Sequence, residues 1–218
     1  MSSTIKKGKR WTFVGEYLGS LWQASLNLAF PSPKLCLICG GKLAMAALVQ
    51  LCQSCLGQLP LVGKSFCQCC GRPSRTAYCV DCNKTEHFFQ SNRAVGIYTG
   101  PLKEQIQEFK YHYNRRLGIG LGEVMGLVAR QRCWIPKDAY LVAVPLHRER
   151  LEERGYNQAE LLIQGMKRFL SAPVLGQDCI IRRAATGASS NLGPRERRAN
   201  LRGVFQGRQP RLLTGKVL

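Results

Sequence analysis

The stretch LVAVPLHRERLEERGYNQAELL, residues 141–162, joins an apolar run, a burst of arginines and the opening of a helix. Residues 140–144 are strand-like and apolar, and Pro145 closes them. His147, Arg148, Arg150 and Arg154 follow, and then Asn157 and Glu160 stand at the cap and third position of a helix whose buried face is Ala159, Leu162, Ile163, Met166 and Phe169. The order is strand, basic loop, helix. In open α/β sheets ligands lie beyond the carboxyl ends of strands, and a helix start adds amide donors and a favourable dipole for anions. This tip is therefore suited to phosphate or pyrophosphate. It is not a Walker loop, since no G-x-x-x-x-G-K-[ST] run occurs. The competing reading pairs these arginines with Glu149, Glu152 and Glu153 on a solvated helix face.

Upstream, regular hydrophobic periodicity begins near Phe88 and marks a domain boundary. A strand, AVGIY at 94–98, leads to a helix with Thr99 as cap and Pro101 in its first turn, where Leu102, Ile106, Phe109 and Tyr113 share a face. A second helix aligns Leu117, Leu121, Val124 and Val128.

Before the boundary, eight of the eleven cysteines form Cys-x-x-Cys pairs: Cys36/Cys39, Cys52/Cys55, Cys67/Cys70 and Cys79/Cys82. A tight two-residue turn aims both sulfurs of a pair at one ion, so two pairs make one tetrahedral zinc site and four pairs make two. Glycine follows the first and third pairs only, which suggests a repeat and a sequential pairing: Cys36/Cys39 with Cys52/Cys55, and Cys67/Cys70 with Cys79/Cys82. A disulfide framework would need an oxidising compartment, for which no export signal is present. With four protein ligands each, both sites are expected to be structural. Cys69 reads as a bystander, with competition for a ligand place the alternative; His87 reads as a surface histidine, with an alternative zinc ligand the other reading; Cys133 and Cys179 read as core residues.

The 218 residues carry a formal charge of +19. Eight zinc-bound thiolates and two Zn²⁺ would bring this to about +15. Such a surplus points to a polyanion, either nucleic acid or a phosphate-rich small molecule, or to weak attraction toward an anionic membrane; solubility alone is the plain alternative. Residues 182–216 set Arg182, Arg183, Arg195, Arg197, Arg198, Arg202, Arg208, Arg211 and Lys216 against Glu196. With Phe205 the lone aromatic, that region suits a phosphate backbone better than a base-stacking groove. Near the start, Trp11, Val14, Leu18, Leu21, Trp22, Leu28 and Ala29 form one helical stripe, expected to pack on the protein itself rather than on a membrane or partner. Glu16, Gln23 and Asn27 interrupt the apolar segment 11–30, which argues against a secretory signal, and no run of eighteen apolar residues exists to span a bilayer.

Four blocks resemble the ComF family, phosphoribosyltransferase-like proteins linked to natural competence and DNA uptake. They are the four knuckles, YTGPLKEQIQEFKYHYNRRL, VPLHRERLEERGYNQAELL and RERRANLRGVF, and they cover nearly all of the chain from Leu35 onward. The resemblance implies a small double zinc ribbon with two four-cysteine sites before a type I phosphoribosyltransferase-like α/β domain, whose parallel sheet binds phosphoribosyl pyrophosphate (PRPP) with Mg²⁺. By position, Pro145, Leu146, His147 and Arg148 match the pyrophosphate loop, and Arg154, Gly155, Tyr156, Asn157 and Gln158 match the signature that follows. The implied phosphate-binding set is thus Pro145, Leu146, His147, Arg148, Arg154 and Asn157, while Lys110, Arg197 and Asn200 match recurrent polar positions.

Two departures are visible. TGASSNLGPRERRAN lacks the family's usual glutamine, with Ser189 nearest by spacing. The family also continues past a strand like GKVL into two adjacent acids and a threonine-threonine-glycine loop that cradles the ribose phosphate, whereas this sequence stops at Leu218. The expectation is an incomplete sheet that, as it stands, does not transfer phosphoribosyl groups. The implied divisions are a basic, amphipathic segment (1–34), a double zinc ribbon (35–88) and an incomplete phosphoribosyltransferase-like domain (89–218). Implied partners are single-stranded DNA or a helicase-like competence ATPase, and PRPP or another phosphorylated ligand. The expected location is cytoplasmic, with at most peripheral contact at the inner face of the membrane. The alternative is a non-catalytic zinc-ribbon module that binds DNA or a competence protein through its basic surface.

Overall fold

A computed structural model describes residues 34–85, 87–186, 192–208, 214–215 and 217. The amphipathic helix expected before residue 34 lies outside them. The cysteine-rich part is built twice. Leu35 bridges Lys42 as Phe66 bridges Pro73, and Gly40 and Gly71 take the left-handed conformation (φ 71° and 72°) that turns each knuckle. Each second pair starts a short helix, α1 (Gln53–Gln58) after Cys52 and α2 (Val80–Asn83) after Cys79.

The expected strand at 94–98 is a single antiparallel bridge, Leu61 to Gly96, flanked by bonds from Val62 N to Val95 O and Ile97 N to Pro60 O. The connection between the ribbons is its partner, and it is too short to form a ladder. Helix α3 (Gly100–Tyr111) follows with Thr99 extended at its N-cap and Pro101 in its first turn; Thr99 makes no side-chain capping bond. Phe109 is buried, but Tyr113 falls outside the helix at φ 57° and is exposed, so it does not share that face. Asn114 accepts from Leu117 N and caps α4 (Arg115–Gln131), in which Leu117, Leu121, Val124 and Val128 are all buried as expected.

The arginine burst forms a helix of its own, α5 (Arg148–Arg154), where a loop was expected; Gly155 ends it at φ 64°. Its i,i+3 and i,i+4 charge spacing supports that turn of helix. Asn157 then caps α6 (Gln158–Met166), accepting from Ala159 N at 3.0 Å. The most buried ridge of α6 is Gln158, Leu161 and Gly165 rather than the expected face, because α6 lies almost backbone to backbone on α4. A Cβ on Gly122 would come within 2.2 Å of Leu162 O, and one on Gly165 within 2.0 Å of Ile119 O.

The strand expected at 140–144 is one parallel bridge between Leu141 and Val174, with Tyr140 N donating to Val217 O on its other side. Val144 is already exposed, and among the described residues the run's far end makes no ladder bond. The implied parallel sheet is thus reduced to this bridge among the described residues. Among the described residues the sheet that forms is antiparallel, β1 (Ile180–Arg182) beside β2 (Phe205–Gly207), with α7 (Pro194–Asn200) between them in sequence. The result is a mixed α/β chain. Among the described residues no helix is long and apolar enough to cross a membrane.

The core crosses residue 88. Cys36, Val49, Leu51 and Leu59 of the first ribbon cluster with Val124 and Val128 of α4. A second cluster joins Phe109, Leu117, Leu121, Tyr156 and Leu161.

Candidate functional site

Cys36, Cys39, Cys52 and Cys55 bring their sulfurs within 4.8 Å of one another, and so do Cys67, Cys70, Cys79 and Cys82. The sequential pairing is the one the chain adopts. Sulfurs of a tetrahedral Zn²⁺ site with bonds of about 2.3 Å stand about 3.8 Å apart, and both Cys39–Cys52 and Cys70–Cys79 are separated by 3.8 Å. All eleven cysteines are free of disulfides. The two donor sets therefore fit zinc.

Backbone amides prepare the first thiolate of each set. Cys52 N donates to Cys36 Sγ and Cys79 N to Cys67 Sγ, each at 3.3 Å. Burial alone would raise Cys36, but amides of Cys39, Cys52 and Ile38 bring it to about 6. Amides of Cys70, Cys79 and Cys69 likewise lower Cys67 to about 6 against its burial. Burial and the neighbouring sulfurs push Cys55 up to about 12, and Cys82 moves the same way. Four thiols this close cannot all ionise without a cation between them, which Zn²⁺ supplies when bound.

Two cysteine expectations change. Cys69 and His87 are not isolated, since their ligand atoms reach Cys82 within 4.8 Å. Cys133 is exposed just past α4 at φ 51°, while Cys179 is buried.

The arginine-rich tip borders a cleft of about 1070 Å³. Lys110 of α3, Arg154 of α5, Arg182 of β1 and Arg197 of α7 converge on it, with Tyr98 and Tyr111 alongside. Arg154 lies 5.6 Å from the centre of the Tyr111 ring, and Arg182 is steadied by Thr186 Oγ1 and by Phe205, 5.7 Å away. Lys110 titrates below the usual lysine range, chiefly because it is desolvated and also because Arg154 is near. An anion in the cleft would relieve that repulsion.

The phosphate-binding residues expected from the sequence divide. Leu146, His147 and Arg154 line the cleft; Pro145, Arg148 and Asn157 do not. The Arg148 side chain is 87% exposed and pairs with Glu152 at 2.7 Å, so the solvated-face reading describes it, whereas Arg150, paired with Glu153 at 2.7 Å, lines the cleft together with Glu149 and Glu153. Asn157 is buried and spends its amide on Val144 O and Glu160 Oε1. It ties the tip to α6, and its Oδ1 already holds Ala159 N. His147 leaves Nδ1 buried without a hydrogen bond, 3.7 Å from a Glu149 oxygen. Tyr98 and Tyr111 stand in the block that carries the resemblance but had no expected role at the site, and Thr186 was not foreseen; the fold brings all three to the tip.

Comparison with known proteins places residues 25–83 in the double zinc ribbon domain family. The chain is 32% identical over 178 residues to competence protein F of Haemophilus influenzae, covering 78% of this chain and 75% of that one. It is 30% identical over 133 residues to competence protein ComFC of Bacillus subtilis, covering 58% and 55%. It is 28% identical over 179 residues to DNA utilization protein YhgH of Escherichia coli, covering 80% and 78%. No solved structure matches. With its double ribbon, both cysteine quartets and this similarity along most of its length, the chain belongs to the ComF family.

Proposed function

We propose that the chain serves DNA uptake in natural transformation, the process to which its relatives' names point, and that its basic cleft binds a phosphorylated ligand, PRPP with Mg²⁺ being the ligand the family suggests. The observation that carries the reading is the convergence of Lys110, Arg154, Arg182 and Arg197 from four separate elements on one cleft. A merely solvated helix face would gather cations from a single element.

In this reading Lys110 and Arg154 meet the phosphate oxygens, and Arg182 of β1 and Arg197 of α7 contribute further charge. Zinc holds the ribbon folded and takes no part in chemistry. The four cations suit the pyrophosphate group that PRPP and free pyrophosphate share. Calorimetry with pyrophosphate and with PRPP, with and without Mg²⁺, tests the site. Binding that Arg154→Ala and Lys110→Ala each weaken about tenfold or more supports it; no binding, or binding indifferent to both, removes it.

The +19 charge favours a second reading, in which the zinc ribbon together with the chain's basic surface binds DNA or a protein partner. Salt-sensitive DNA binding that survives neutralisation of Arg148 and Arg154, but fails when the zinc cysteines are changed, would select it.

A further inference from the structure

Cys69, Cys82 and His87 bring ligand atoms within 4.8 Å of one another, yet Cys69 and His87 belong to neither four-cysteine set. Only Cys82 is shared. The Nε2 of His87 is buried and has no hydrogen-bond partner among the described residues. A buried imidazole nitrogen normally finds a donor, an acceptor or a metal. The ring is held against Phe89, with centroids 4.9 Å apart.

The chain fixes this arrangement independently of any ion. Asn92 N donates to Cys69 O at 2.6 Å, and the Arg93 guanidinium donates to Gln68 O at 2.7 Å. These bonds fasten the segment after His87 to the knuckle that carries Cys69. Gly71 permits the approach, since a Cβ there would stand 2.6 Å from Asn92 O.

We propose that Cys69, Cys82 and His87 form a third metal position, fused to the second four-cysteine site through a bridging Cys82 thiolate, for a thiophilic divalent cation such as Zn²⁺. The proposal rests on that four-cysteine site holding metal. Binding releases the Cys69 thiol proton to water, uses a second lone pair of the Cys82 sulfur and takes the lone pair of a neutral His87 ring. Two sulfurs and one nitrogen match the preference of soft cations over Mg²⁺ or Ca²⁺. Three protein ligands leave a fourth place for water, so this ion is the most exchangeable in the chain.

The test is to load the full 218-residue chain with ¹¹³Cd²⁺ under reducing conditions, count bound ions by native mass spectrometry, and record ¹¹³Cd spectra. Three ions are expected, two of them showing mutual coupling through a shared sulfur. Cys69→Ser and His87→Ala should each lose one ion and that coupling, while Cys133→Ser keeps both. Two ions on the wild-type chain, or a third ion that survives both substitutions, overturns the third position alone. Fewer than two ions overturns the four-cysteine reading with it. If either variant fails to fold, coupling in the wild-type spectrum decides.

Discussion

Glu123 joins the ribbon to the helices through one carboxylate. Its side chain is 1% exposed and accepts from Gln50 N, Gln50 Nε2 and Arg168 at 2.7 to 2.9 Å. Removing it leaves buried donors unmatched, so Glu123→Ala should cost about 3 kcal/mol in urea unfolding, the lower end for a broken buried pair because Arg168 is half exposed. Lys110 carries the opposite tension. Burial and Arg154 lower its pKa in the folded chain, so the unfolded chain holds that proton more tightly. The charged ammonium therefore costs folding stability at neutral pH, and the cost fades as pH rises through the window between the lowered folded value and the ordinary lysine value. Lys110→Met should raise the thermal midpoint at pH 7, with the gain shrinking toward pH 11, while weakening phosphate binding. Arg154→Ala should weaken the same ligand roughly ten- to a hundredfold, the usual loss for a charged hydrogen bond of about 1.5–3 kcal/mol. Arg148→Ala should change it less than twofold, because that side chain faces solvent and pairs with Glu152.

Helix α4 was legible in its apolar residues and illegible in its glycines. Leu117, Leu121, Val124 and Val128 announce a buried stripe by their spacing, and all four are buried. Gly118, Gly122 and Gly126 repeat every fourth residue beside that stripe, yet helix propensity counts each only as a weakness. Their use appears once α6 is laid across them, because Gly122 and Gly126 face the backbone at Leu162 and Met166. Alanine at Gly165 or Gly122 should destabilise the chain by more than about 2 kcal/mol despite its better propensity, since the atoms it would meet are main-chain. Gly57 in α1 has nothing within 4 Å of a Cβ, and Gly57→Ala should stabilise by about 0.5–1 kcal/mol. Chemical denaturation of the three variants checks both signs. The strand at 140–144 was overestimated for a related reason. Apolar runs record burial, but a ladder needs neighbours, and among the described residues the backbone-to-backbone bonds of this run fall at Tyr140 and Leu141.

At the scale of the molecule, the cysteine spacing was enough to place both quartets and their pairing, because ligand geometry is local. The cleft was half legible: the tip announced itself, but Lys110, Arg182 and Arg197 reach it from elements far apart in sequence. If DNA phosphates occupy those four cations, affinity should fall on the order of a hundredfold between about 50 and 200 mM salt, and Arg154→Ala should lower the log–log slope by about one. The two ribbons, although alike in sequence, carry different mechanical weight. Around the first site Cys36, Leu37, Ile38, Cys52, Cys55 and Leu56 lie in one apolar cluster with Val124 and Val128. The second site reaches the helical part chiefly through its surroundings, with Phe66 edge-on to Trp134 and Arg132 donating to the carbonyls of Val62 and Gly63. Loss of metal at the first site therefore exposes apolar surface of α4 as well as of the ribbon, whereas loss at the second unravels a region that α4 does not need for its own burial. Cys36→Ser should accordingly lower the unfolding midpoint of the whole chain and speed hydrogen exchange in α4, while Cys67→Ser loosens residues 64–85 and leaves α4 protected. Equal loss of α4 protection in the two variants would show that the ribbons stabilise the helices as one unit.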